Sequence, residues 1–121
     1  MHTNDWEESS RLLITLVKEY FGTKVIGFCT YSPDDQGFIS RCQIYCSFAV
    51  RFSLGDVSRG GAFGIDVYIG DWPVDLETLT DWHENISLNF SKQAIMRNLE
   101  ILDEYLQWRM TDAQKKTYGL I

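Results

Sequence analysis

The residues with the most versatile chemistry are three cysteines, Cys29, Cys42 and Cys46, and two histidines, His2 and His83. Zinc needs ligands that converge on one point. Cys42 and Cys46 fall on what reads as one strand, four residues apart, which separates them by roughly 13 Å. They read instead as small buried apolar residues. An odd cysteine count without a leader pattern favours free thiols. A thiol nucleophile would have to use His83, and no spacing pairs it with a cysteine. Asn85-Ile86-Ser87 and Asn89-Phe90-Ser91 match the glycosylation sequon, a match without consequence in a chain that stays in the cytosol. No segment has the alternating acids and central glycine of an EF-hand. No aromatic-lined cleft motif marks a glycosidase-like acid pair. The expectation is a protein that is not an enzyme, with no catalytic residue, no metal and no cofactor.

The carboxylates carry more information. The chain has 17 acidic and 11 basic residues among 121, a net charge of −6. Between Arg59 and Lys92 there is no Lys or Arg, while Asp66, Asp71, Asp75, Glu77, Asp81 and Glu84 all fall there. That stretch accounts for the whole net charge, and Tyr68, Trp72 and Trp82 lie within it. Carboxylates without nearby bases create a negative field that speeds encounter with basic surfaces. Exposed aromatics among them supply the desolvated anchors that carry most binding energy. Asp66, Tyr68, Asp71, Trp72, Asp75, Glu77, Asp81, Trp82 and Glu84 are therefore the expected partner-binding set, and the expected partner is a basic protein. The bland alternative is a solvated acidic loop region with both tryptophans in the core. The same acidity argues against direct nucleic-acid binding or an anionic membrane.

These residues need a scaffold, and at 121 residues the chain reads as a single domain, 1–121. With 45% apolar and 23% charged residues it is globular rather than disordered. No apolar run approaches a membrane span. The first eight residues lack the basic-then-apolar order of a signal peptide, which leaves a soluble, cytoplasmic protein as the expectation. Asn4 or Asp5 can cap a helix over residues 5–21, with Trp6, Leu12, Leu13, Leu16, Val17, Tyr20 and Phe21 on one arc and Gly22 as its stop. Residues 24–32 are rich in β-branched and aromatic residues, and 33–37 have turn chemistry. From 42 to 54 apolar residues alternate strictly, which predicts one long strand burying Cys42, Ile44, Cys46, Phe48, Val50, Phe52 and Leu54. Phe63, Ile65, Val67 and Ile69 alternate again, and Gly70-Asp71-Trp72-Pro73 ends that strand. Residues 75–83 suit a short helix, and Ile86, Leu88 and Phe90 a short fourth strand. Ser91 caps a long helix to about 110, with Ile95, Leu99, Leu102 and Leu106 as one stripe and Ile101, Tyr105 and Trp108 as a second. Helix one or an outside partner must cover that second stripe. Thr111 or Asp112 starts a last short helix ended by Gly119. The predicted fold is α+β: an N-terminal helix, an antiparallel meander of three to four strands, then a long and a short C-terminal helix.

The run Asp66-Val67-Tyr68-Ile69-Gly70-Asp71-Trp72-Pro73-Val74-Asp75-Leu76-Glu77, with its extension to Glu84, resembles in character the bacterial immunity proteins paired with contact-dependent growth inhibition toxins. Those are small, cytosolic, frequently acidic and often α+β. The resemblance rests on size and profile, without a shared motif, so no individual residue role is carried over. It implies a stoichiometric inhibitor of a toxin domain, expected to be a nuclease, whose basic cleft the acids would face. A second profile, that of acidic type III secretion chaperones, implies a dimer holding an effector segment against the wide apolar arc of the long helix. The tryptophan content and the clustering of the acids depart from it.

Overall fold

The computed structural model describes residues 5–56, 62–80, 86–87 and 89–121. Helix α1 (Asp5–Phe21) leads through a single 3-10 turn into β1 (Val25–Tyr31), β2 (Phe38–Ile44), β3 (Phe48–Leu54), β4 (Phe63–Ile69) and β5 (Trp72–Asp75). A one-turn α2 (Leu76–Leu79), the long α3 (Lys92–Arg109) and α4 (Asp112–Thr117) follow. The strands pair antiparallel in chain order, β1-β2-β3-β4-β5. The fold is α+β, with five strands among the described residues rather than three or four.

One side of the sheet carries the core. Phe38, Cys42, Ile44, Phe48, Val50, Phe52, Phe63, Ile65 and Val67 are buried at alternate positions. Helix α1 supplies Leu13, Leu16, Val17 and Phe21, and α3 supplies Ile95, Leu99, Leu102 and Leu106 to the same cluster. Helix caps fall where oxygen-bearing side chains allow them. Ser91 accepts from the Ala94 N–H at 3.2 Å, and Thr111 and Gln114 form a capping box at the head of α4. The second stripe of α3 is spent inside the fold: Ile101 and Tyr105 are buried, and Trp108 at its end is exposed. Among the described residues no helix is long and apolar enough to cross a membrane.

The predicted single strand over 42–54 is two strands and a turn. Residues 45–47 form a three-residue loop, and Ile44 pairs with Phe48 across it. A loop of odd length places residues four apart directly opposite one another, on the same face, so period-two alternation passes through the turn unbroken. The loop has no Gly, Pro, Asn or Asp. Instead Tyr45 and Cys46 adopt φ of 57° and 54°, a conformation costing an L-residue roughly 1–2 kcal/mol. Tyr45 offsets that cost. It is 1% exposed, its ring packs edge-on against Phe21 and Tyr118, and its N–H donates to the Lys24 carbonyl at 2.8 Å. The expected faces are thus exchanged here: Tyr45 is buried and Cys46 exposed. Cys42 and Cys46 do not share a strand; Cys42 lies in the core and Cys46 at the hairpin tip.

Two further expectations change. Gly70 and Asp71 do not end the sheet; they turn it into β5, with Ile69 opposite Trp72. Gly70 has φ of 63°, as a two-residue hairpin turn requires. Pro73 fits because β5 is the edge strand. Among the described residues of 86–90 there is no strand. The Asn98 carboxamide takes both backbone groups of Ser87, accepting from its N–H at 3.1 Å and donating to its carbonyl at 2.8 Å. That occupies the groups a neighbouring strand would use. Phe90 meets Phe38 and Phe63 edge-on, capping the core from an irregular segment.

Candidate partner interface

The β4–β5 hairpin and α2 hold most of the described acidic stretch. Register fixes which way each side chain points: Asp66 lies opposite Asp75, Val67 opposite Val74, Tyr68 opposite Pro73 and Ile69 opposite Trp72. Val67 is core, so Ile69 and Trp72, two positions along, share its side of the sheet. Continuing the β3–β4 register places Ile69 across from Phe48. The Arg109 guanidinium covers the Phe48 ring at 5.3 Å, so the helical cover ends near that row. Beyond it Ile69 is exposed, and Trp72 is 77% exposed. A tryptophan left in water on an edge strand contributes almost nothing to the core, although its area is the largest a side chain can offer a partner.

Around Trp72 the charge is negative. Asp71 and Glu77 are exposed, and among the described residues no base forms an ion pair with either; Asp75, exposed as well, lies opposite Asp66 and points to the other side of the sheet. Asp75 has a structural duty as well. As the N-cap of α2 it accepts from the Glu77 N–H at 3.1 Å. This directs Leu76 into the core and Glu77 outward.

Asp66 and Tyr68 stand apart from this group. They lie on the opposite side of the sheet, where Asp66 Oδ2 accepts from Arg51 Nη2 at 2.7 Å and Nε at 3.0 Å. Arg41 stacks over Tyr68 at 4.9 Å. The stretch that lacks bases in sequence is thus partly neutralised in space, because antiparallel register brings β2 and β3 arginines beside it. Asp81, Trp82 and Glu84, like His83, lie outside the described residues. The six described residues of the expected nine therefore divide into Asp71, Trp72 and Glu77 at the hairpin tip and α2, and Asp66, Tyr68 and Asp75 on the far face.

A cavity of about 270 Å³ opens where β5 stops short of the β4 start, with Phe63, Leu76 and Ile86 among its walls and Asp66, Asp75 and Glu77 beside them. Its titratable groups are carboxylates alone. Asp66 accepts the Arg51 hydrogen bonds and Asp75 accepts from the Glu77 backbone N–H. Among the described residues no group of three or more His, Cys, Asp or Glu is placed to hold a metal ion. Comparison with protein-family models, with curated proteins and with solved structures gives no match.

Proposed function

We propose that this chain acts by binding, as an immunity-type inhibitor that engages a basic toxin domain, a nuclease by the chemistry of the charge it offers, with the tip of the β4–β5 hairpin. The exposure of Trp72 carries this reading. An aromatic of that size, kept out of the core beside Asp71 and Glu77, matches the anchor-and-rim arrangement in which one buried aromatic supplies most of the affinity. The surrounding carboxylates raise the encounter rate with a cationic surface and discriminate against acidic ones. The substrate cleft of a nuclease is such a surface, because it is built to hold phosphates. The apolar arc of α3, apart from Trp108 at its end, is taken up within the fold, so a groove for an extended effector segment finds less support.

The test uses purified basic nuclease toxin domains as probes. Wild-type chain, Trp72→Ala and the Asp71→Lys/Glu77→Lys double variant are compared for binding and for inhibition of nuclease activity. Stoichiometric inhibition of one probe is expected. Trp72→Ala should weaken binding by about 30-fold or more, the equivalent of a 2 kcal/mol anchor. The double reversal should slow association, and added salt should slow it for wild type. Melting temperatures show whether the variants stay folded. Affinity unchanged in both folded variants overturns the reading.

A further inference from the structure

The side of the sheet away from the helices has the make-up of an interface. We propose that it is self-complementary and that two copies of this chain associate through it, sheet against sheet. No described element packs on this side. A solvent face of an antiparallel sheet ordinarily carries polar residues, Lys and Glu prominent among them. Here the outward positions of all five strands contain neither Lys nor Glu. They carry Ile26, Tyr31, Ile39, Arg41 and Tyr68, and Ile26 and Tyr31 are 48% and 47% exposed. Enrichment in Tyr and Arg with loss of Lys and Glu is the compositional mark of an interface centre.

Charge says what covers it. One outward row crosses the whole sheet in register: Cys29, Arg41, Arg51, Asp66, Asp75. Bases occupy β2 and β3, and acids occupy β4 and β5. Arg51 and Asp66 satisfy each other within the chain. Among the described residues Arg41 has no carboxylate partner, only the Tyr68 ring. Asp75 keeps a carboxylate oxygen beyond the one that caps α2. A two-fold axis lying between two such faces, along the strands, reverses strand order across the interface. Placed between β3 and β4, it sets β2 and β3 of each copy over β5 and β4 of the other, so Arg41 meets Asp75 twice by symmetry and β1 lies at the rim. A partner of single charge would match only half of the row.

Strand spacing and rise give a face of roughly 20 by 23 Å, so two copies would cover about 900–1,000 Å². That is the lower end of what specific association needs, and it sets the expectation of a concentration-dependent dimer of micromolar affinity. The arrangement leaves Asp71, Trp72 and Glu77 at the hairpin tip for another partner.

The test is sedimentation equilibrium of the full chain from about 1 to 300 µM, bracketing that affinity. Wild type should pass from monomer to dimer. Arg41→Glu and Tyr68→Glu, each checked by melting temperature, should weaken the dimer about tenfold or more by placing an unpaired acid within the overlap. Trp72→Ala should leave it unchanged, which separates this surface from the hairpin tip. Alkylation supplies an independent readout. The thiol of Gln43→Cys, on β2, should become protected as concentration rises, Cys46 should react throughout, and buried Cys42 should remain inert. A chain that is monomeric over the whole range overturns the proposal. So does a dimer that withstands both face variants and leaves the Gln43→Cys thiol reactive.

Discussion

The Tyr45 hydroxyl donates a 2.6 Å hydrogen bond to Asp103 Oδ1, joining the β2–β3 turn to the middle of α3 across 58 positions. The other oxygen of the same carboxylate accepts from the Tyr20 hydroxyl of α1 at 3.2 Å. Asp103 thus ties both large helices to a turn whose backbone is held in an unfavourable conformation. The bond supplies a reason for Tyr45 to stay folded inward. A turn residue released to solvent would lose both its ring contacts and this acceptor.

Tyr45→Phe keeps the ring and removes the donor. It should cost about 1.5–3 kcal/mol, the range for a hydrogen bond to a charged group. Urea denaturation measures the loss. An unchanged midpoint and slope would show that the bond contributes nothing net.

The same cluster predicts an alkaline limit. Burial first, and then the Asp103 charge, push the Tyr20 hydroxyl up to about 12, and burial with the Asp103 bond pushes Tyr45 upward as well. The folded state therefore favours the neutral phenols. Their contribution is intact below the ordinary tyrosine value near 10 and is lost as pH rises through the folded values. Melting temperature should fall between about pH 10 and 12, and ultraviolet titration should show Tyr20 and Tyr45 ionising late. All tyrosines titrating together near the ordinary value would contradict this.

Phe48→Ala should destabilise the fold by about 3–5 kcal/mol, the usual cost of truncating a buried phenylalanine. The ring is buried in the outer row of the core, with Arg109 stacked on it. Thermal or chemical denaturation reads the change, and a loss under about 1 kcal/mol would mean that the site collapses around the missing ring.

Arg51→Gln leaves Asp66 facing Asp75 with no cation beside them. Like charges directly opposite on paired strands cost about 0.2–1 kcal/mol, and a comparable destabilisation is expected. Asp75→Asn should recover much of it, because asparagine still caps α2 while the repulsion disappears. A double-mutant cycle isolates the coupling. Strict additivity would show that Asp66 and Asp75 do not interact.

The helices were legible because each carries its own signals. Ser91 and Thr111 mark starts, and apolar stripes mark the covered faces. The β2–β3 turn was hidden because its odd length preserves alternation and Tyr45 and Cys46 replace the usual turn residues. Pro73 reads as a strand breaker, yet an edge strand accommodates it. The Arg51–Asp66 pair depends on register between strands 15 positions apart, which charge counting along the chain does not reveal. Of the expected surface, Asp71, Trp72 and Glu77 are exposed as binding would need. Asp66 and Tyr68 were grouped with them only because proximity in sequence ignores the two sides of a sheet.

Every strand pairs with its immediate predecessor, and α3 follows the whole sheet. On a ribosome, the complete sheet would leave the exit tunnel before residues 92–109 could cover it. Phe38, Val50, Phe52, Phe63 and Val67 would then face solvent with only α1 to shield them. Local pairing favours rapid hairpin formation, but a sheet with one bare apolar face is the kind of intermediate that associates wrongly or recruits a chaperone. α3 therefore completes the cover of that face. A chain truncated just before Lys92 should aggregate, whereas one that runs through Arg109 should resist protease.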